Sequence, residues 1–149
     1  MLFLFGATAI ACSSSRLPDQ QLFTAINTGY YQGAVAALTA GASPNAKDVD
    51  GNTALHNAAA FNRIDIASLL TDAGASVDAR RGLPFLGMAE TPLMWAAKHN
   101  SFGVAKLLLE RGASRGAFLF YGTAAGFARA SGRTEMSEFI SSWTPERES

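Results

Sequence analysis

The sequence has few of the side chains from which catalytic and metal sites are usually built. It contains one cysteine, Cys12, and two histidines, His56 and His99, in 149 residues. A single cysteine excludes an intrachain disulfide. The two histidines are far apart with no cysteine beside them, so no zinc site is indicated. Because no phosphate-binding glycine motif and no nucleophile–base pair occurs, we predict no catalytic residues, no metal, no cofactor and no enzymatic activity.

The chain also lacks an excess of charge of either sign. Twelve Lys and Arg residues balance twelve Asp and Glu residues, and the longest basic cluster is Arg80-Arg81. Proteins that bind nucleic acid usually carry a basic excess that neutralises phosphates, so we predict no nucleic-acid partner. Apolar residues make up 48% of the chain, which is typical of a single folded domain.

The most apolar stretch stands at the start of the sequence. Residues 1–11 read MLFLFGATAIA and are followed by Cys12 and three serines. A bilayer-spanning helix needs about 20 apolar residues, so this run is too short to be one. It fits the hydrophobic part of a secretion signal that ends in small residues. The alternative is an apolar N-terminus that packs on the rest of the domain.

Two segments of the sequence repeat each other. Residues 53–59 (TALHNAA) return as residues 91–97 (TPLMWAA), and each copy is followed by a Leu-Leu pair and then by Gly-Ala. The pairs are Leu69-Leu70 and Leu107-Leu108, and the glycines are Gly74 and Gly112. A repeat of this length is typical of a stacked array of short units.

These segments resemble the ankyrin repeat, which consists of a β-turn and two antiparallel helices over about 33 residues. The resemblance implies an all-α fold: an ankyrin-repeat solenoid of about four helix-turn-helix units with β-turn or hairpin tips. It covers residues 19–143, in units of about 19–46, 47–79, 80–114 and 115–143, with a frayed tail at 144–149. Thr123 and Gly132 hold the threonine and glycine positions of the degenerate fourth unit.

Individual residues of the pattern have mechanical roles. Thr53 and Thr91 are expected to cap the starts of helices, and Asp19 to do so in the first unit. Gly74 and Gly112 are expected to end the second helix of their units in a left-handed conformation. In the ankyrin family the histidine at the position of His56 bonds backbone between units. The turn at residues 80–90 is five residues longer than the repeat requires.

Ala9-Ile10-Ala11-Cys12 resembles the lipobox of bacterial lipoproteins. The resemblance implies that residues 1–11 are a cleaved signal, that Cys12 is acylated and that residues 12–18 are a tether. Ser after the cysteine implies sorting to the outer membrane, which would leave the protein periplasmic and in contact with the membrane through Cys12 alone. The alternative is a cytoplasmic protein whose N-terminus is not a signal.

Ankyrin repeats bind partners chiefly through variable turn residues and the positions after the Ala pair. Here the predicted partner-binding residues are Val49, Asp50, Asn52, Phe61, Arg80, Arg81, Phe85, Leu86, Met88, Glu90, Lys98, His99, Phe118, Phe120 and Tyr121. The long turn is unusually apolar, and it either folds back onto the array or forms an exposed patch.

The resemblance therefore implies a monomeric, non-catalytic module of the bacterial envelope that binds a folded partner protein. Ankyrin proteins of that compartment include antitoxins or immunity proteins and accessory proteins of stress enzymes, and the sequence favours neither. The alternative is a cytosolic ankyrin adaptor without a cleaved signal.

The second helix predicted for the first unit has few side chains that can fill a core, since only Val35 and Leu38 are large apolar residues. We therefore expect this end of the array to open most readily. Amide hydrogen exchange should be faster in residues 19–40 than in residues 91–112. Equal protection of the two segments would contradict the prediction.

Overall fold

The computed structural model describes residues 16–83, 88–117 and 122–144. Within these ranges the chain forms eight α-helices and one β-hairpin, and the all-α repeat solenoid expected from the sequence is confirmed. The helices are α1 Arg16–Thr28, α2 Tyr31–Thr39, α3 Ala54–Ala60, α4 Ile64–Asp72, α5 Pro92–His99, α6 Phe102–Glu110, α7 Ala124–Ala130 and α8 Thr134–Ser142. The strands β1 Arg81–Leu83 and β2 Met88–Glu90 lie between α4 and α5.

The helices are arranged as four hairpins in two layers. The first helices of the hairpins (α1, α3, α5 and α7) contact one another in series, and the second helices α2, α4 and α6 do the same in a parallel layer. Phe102 of α6 packs on Phe139 of α8 with ring centroids 5.6 Å apart. Each hairpin therefore buries its apolar face against its neighbours, as repeat architectures require.

Small side chains in the first helices set the spacing of the stack. Ala58, Ala59, Ala96 and Ala97 are fully buried, so adjacent helices approach closely there. Leu70 and Leu108 are also fully buried and fill the space between the layers, whereas Leu69 and Leu107 are half-buried beside the core. One member of each leucine pair and these alanines thus belong to the core, together with larger buried side chains such as Leu55, Ile66 and Leu93.

The expected helix ends at Gly74 and Gly112 are confirmed. Both glycines have positive φ, 94° and 83°, directly after the second helices of their units. Gly132 differs from them: it has φ 73° but lies between α7 and α8. Its counterparts are therefore the residues between the paired helices, and its expected equivalence to Gly74 and Gly112 is wrong.

The start of the domain differs from the sequence expectation. Residues 16–18, predicted as part of a tether, are helical, since the first described helix covers Arg16–Thr28. Asp19 lies in the first turn instead of preceding it, and its Oδ1 accepts a hydrogen bond from the backbone N–H of Ser43 at 2.9 Å. The carboxylate therefore joins the two ends of the first unit, because the helix has already started before it.

The extra residues of the third unit are accommodated by the hairpin. Strands β1 and β2 are antiparallel, with Arg81 opposite Glu90 and Leu83 opposite Met88. The corresponding turn of the second unit contains a single bridge, between Lys47 and Thr53. A longer turn can extend the ladder without disturbing the helices that follow, since α5 starts directly after the hairpin.

The apolar residues 1–11 and Cys12 lie outside the described residues. No helix in the described ranges has both the length and the apolar character needed to cross a membrane.

Candidate protein-binding surface

The turn of the second unit, residues 47–53, is held by the carboxylate of Asp48. Its Oδ1 accepts from the backbone N–H groups of Asp50 and Asn52, each at 2.9 Å. Its Oδ2 accepts from the side-chain amides of Asn52 and Asn57 at 2.9 and 3.0 Å. Partial burial alone would raise the pKa of Asp48, but these hydrogen bonds outweigh it and leave the pKa below its ordinary value. The turn is thus fixed by one ionised side chain.

That arrangement separates the predicted contacts of this turn into two kinds. Val49 and Asp50 project into solvent, and Val49 is fully exposed at 103%. Asn52 is 6% exposed, with its amide directed at Asp48. The side chain of Asn52 thus holds the turn, and its contact with a partner stays a prediction.

A buried imidazole connects the second turn to the third. His56 is fully buried, and its Nε2 lies 3.0 Å from the backbone carbonyl of Glu90. A carbonyl can only accept, so Nε2 carries the proton and Nδ1 accepts from the N–H and hydroxyl of Thr53 at 3.3 and 2.8 Å. Burial is the main reason that the pKa of His56 falls to about 4. The expected backbone bond between units is confirmed, and the imidazole is neutral.

The predicted contacts Arg81 and Glu90 belong to a cluster around Trp95 in the third unit. Glu90 Oε2 accepts from the indole Nε1 of Trp95 at 2.8 Å and pairs with Arg81 Nη1 at 3.3 Å. The Arg81 guanidinium lies 5.0 Å from the centre of the Trp95 ring, while His56 meets the same ring edge-on at 5.6 Å. Arg81 and Glu90 are partly buried, so most of their charge is directed into the protein.

The predicted residues Phe61, Lys98 and His99 are exposed, but they lie at the far ends of the first helices. Helix α3 separates the second turn from Phe61 by about 10 Å, at 1.5 Å per residue. His99 packs against Trp95 with ring centroids 5.6 Å apart. Burial lowers its pKa, and the neighbouring cations Lys98 and Arg133 lower it further. The residues predicted from the sequence therefore lie at both ends of the first helices, some in the turns that precede these helices and some in the loops that follow them.

Of the remaining predicted contacts, only Arg80 and Met88 belong to the described residues. Arg80 is exposed beside the hairpin, and Met88 contributes its backbone to β2. Phe85, Leu86, Phe118, Phe120 and Tyr121 lie outside the described residues, as does Cys12.

An open groove of about 710 Å³ lies beside the second turn. It joins Val49 and Asp48 to the exposed side of α1, where Phe23 supplies the aromatic surface. Its remaining lining is polar or charged and comes from Arg16, Asp19, Gln20, Thr24 and Lys47. The groove therefore extends the surface of the second turn along the first helix of the array.

Sequence reasoning missed Trp95 and the half-buried Arg63. Trp95 stands in the second TxL segment where Asn57 stands in the first, so aligning the two copies could have identified an aromatic residue facing the turns. Arg63 donates from Nε to the Ile26 carbonyl at 3.2 Å and from Nη2 to the Asn27 carbonyl at 3.1 Å. No residue spacing indicates this bond, because it joins a side chain to the end of a helix in another unit.

The described residues form no group of three or more His, Cys, Asp and Glu side chains that could hold a metal ion. The pair of Thr53 and His56 has the hydroxyl–imidazole contact of a nucleophile and its base. Both residues are buried, however, and the imidazole proton is donated to the Glu90 carbonyl. This pair therefore serves to join repeats.

Comparison with known proteins agrees with this architecture. A family model described as ankyrin repeats, in three copies, matches residues 22–117. A glycerophosphocholine phosphodiesterase of Schizosaccharomyces pombe is 38% identical over 77 residues. The match covers 52% of this chain and 6% of the yeast enzyme, so the similarity concerns one small segment of that protein.

The burial of His56 predicts that the free energy of unfolding depends on pH. The histidine titrates near 6.5 in the unfolded chain and near 4 in the folded one, so between these values the unfolded chain binds more protons. Stability should therefore fall as the pH falls through this window, by roughly 3 kcal/mol in total. Urea unfolding across the window should show this loss in the wild type and a much smaller loss in His56→Gln.

The exposed histidine supplies the control for this experiment. His99→Gln should keep most of the wild-type pH dependence, because His99 lies on the surface. An unchanged slope in His56→Gln would contradict the assignment of His56 as the buried neutral group.

Proposed function

The chain belongs to the ankyrin-repeat family, whose repeats act as protein-interaction modules, and we propose that it is a non-catalytic module that grips one folded partner. The gripping surface consists of the turns and the first helices, with the groove beside α1 at one end and the Trp95 cluster further along. A partner of ordinary size would bury about 800 Å² of this chain.

One observation carries the proposal: a fully exposed apolar side chain stands on a turn that cannot easily move. Val49 has no cover from the described residues, while the backbone N–H groups of Asp50 and Asn52 that follow it are bonded to the carboxylate of Asp48 that precedes it. An anchor that is already ordered loses little conformational entropy on binding. Val49 is therefore suited to enter an apolar recess of a partner, with Asp50 beside it for a polar contact.

The groove and the aromatic residues extend this anchor. Phe23 and Lys47 line the groove next to Val49, which offers a partner one aromatic and one cationic contact. We propose that Phe85, Leu86, Phe118, Phe120 and Tyr121 add apolar contacts from the following turns. Arg80 supplies an exposed charge at the rim of the same side.

We propose that the module works at the bacterial envelope, held by acylation of Cys12. Two or more acyl chains bind a bilayer far more firmly than one, because each buried methylene contributes about 0.8 kcal/mol. The processes that fit are neutralisation of a toxin, as by an immunity protein, and support of a stress enzyme. A toxin gene beside this gene would favour the first and a redox-enzyme gene the second.

Carboxylates placed at the turns should weaken partner binding. We expect Val49→Asp and Phe120→Asp each to weaken the partner by at least about tenfold, since a buried carboxylate without a counter-ion is strongly disfavoured. Partners would be captured from native cells with the tagged protein, identified by mass spectrometry and titrated individually.

Lys106→Asp is the matched control for these variants. Lys106 is exposed on α6, in the layer of second helices, so the change brings a carboxylate to the surface away from the turns. It should leave binding within about twofold of the wild type. Folded turn variants that retain every partner would refute the proposed surface.

The proposed anchor predicts the chemical form of the mature N-terminus. Mass spectrometry of the native protein should find an acylated Cys12 as the first residue, and fractionation should place the protein with the membrane. An intact Met1 would refute the anchor and favour a cytosolic adaptor.

A further inference from the structure

The loops between paired helices have the same backbone form in all four units. Gly29, Asn62, Asn100 and Gly132 lie between the first and second helix of their units, with φ of 76°, 53°, 61° and 73°. These loops lie at the opposite ends of the first helices from the turns. We call this side the loop edge and define it as residues 29–31, 61–65, 98–103 and 129–135.

Hydrogen bonds tie each loop to the next. Arg63 binds the backbone carbonyls at the end of α1, and Asn62 Oδ1 accepts from the backbone N–H of Val104 at 3.3 Å. Arg133 Nε donates to the carbonyl of Lys98 at 3.0 Å. Each of the three junctions between neighbouring units thus has such a bond, and the loop edge is a continuous, ordered surface.

Exposed apolar side chains concentrate on the first two loops. Six large apolar residues are exposed among the described residues, and four of them lie on the loop edge: Tyr30 at 62%, Phe61 at 49%, Ile64 at 46% and Tyr31 at 38%. Ile64 packs over Gly103, which brings the patch against the third loop. Single exposed apolar residues are common on monomers, whereas four on two adjoining loops are typical of a site of interaction.

The last two loops supply positive charge. Lys98 and Arg129 are exposed there, with Lys98 Nζ 4.0 Å from Glu90 Oε1 of the hairpin, and Arg133 is partly buried beside them. The four segments have four cationic residues against Asp65 and Glu135, and Glu90 faces Lys98 from the hairpin, so an excess of one positive charge remains, at the end of the loop edge that carries Arg129. The surface therefore passes from aromatic and aliphatic at one end to cationic at the other.

We propose that the loop edge is a second docking surface, which receives an acidic amphipathic helix of a partner protein. Neighbouring helices pack 8–10 Å apart, so four loops extend over about 30 Å, the length of a helix of about 20 residues. Apolar side chains of that helix lie on Phe61 and Ile64, and its carboxylates face Lys98 and Arg129. This surface meets the turns only where Lys98 and His99 approach Glu90 and Trp95, and it does not depend on the partner proposed for them.

A synthetic 20-residue helical peptide with leucines on one face and glutamates on the other provides the probe. Titrated into the labelled full-length chain, it should shift backbone amide resonances in the four segments of the loop edge. Phe61→Ser and Arg129→Gln should each weaken the binding of this peptide by about tenfold. A peptide with glutamine in place of glutamate should also bind at least about tenfold more weakly, because it lacks the charges that pair with Lys98 and Arg129.

Two exposed residues away from the loop edge supply matched controls. Val49→Ser and Lys106→Gln remove a comparable apolar side chain and a comparable charge, and they should leave the affinity for the peptide within about twofold. Arg129→Gln should in turn retain the partner that Val49→Asp loses, so a failed prediction at one surface is distinguishable from a failed prediction at the other.

Several results would overturn the proposal. Amide shifts centred on residues 47–53, or wild-type affinity in both Phe61→Ser and Arg129→Gln, would place the peptide elsewhere. Sedimentation showing a dimer that Phe61→Ser dissociates would assign the loop edge to a second copy of the chain. Binding to phosphatidylglycerol vesicles but not to the peptide, lost in Arg129→Gln, would assign it to a lipid surface.

Discussion

No hairpin of this protein can cover its own apolar face, and the rest of the structure follows from that constraint. Helices of seven to nine residues, such as α3 and α4, are too short to be stable alone in water. They persist because fully buried residues such as Ala58, Leu70 and Leu108 are shared between neighbours. The turns and the loop edge are therefore by-products of stacking, and both acquire their order from it.

The bonds between units are not the same at every junction. Between the second and third units the imidazole of His56 reaches the Glu90 carbonyl. Met94 occupies the corresponding position of the third unit and is 2% exposed, so an apolar contact replaces the imidazole at the next junction. There the third and fourth units are joined instead by Arg133 and by Phe102 against Phe139.

The features that could be read from the sequence are those whose role is local. Thr91 caps α5 through Met94, Gly74 and Gly112 end helices, and the family pattern located the bond of His56. Features that depend on distant partners could not be read in this way. Asn52 looked like a variable turn residue because its burial against Asp48 exists only in the folded turn.

The same limit applies to the candidate surface. Val49 and Phe61 were grouped because both occupy variable positions of the pattern, yet helix α3 separates them and they lie at different edges of the stack. The Trp95 cluster and the loop edge were missed because their members come from separate units. Spacing along the chain carries no information about which side chain of one unit meets which backbone of the next.

The clamp made by Asp48 has a consequence for how this protein can evolve. The carboxylate of Asp48 accepts hydrogen bonds from positions 50, 52 and 57, and the single bond from position 50 comes from its backbone. The side chains at positions 49 and 50 thus take no part in the hydrogen bonds that hold the turn. As the sequence evolves, these two residues can therefore be substituted and the binding specificity changed, while the turn that supports them keeps its structure.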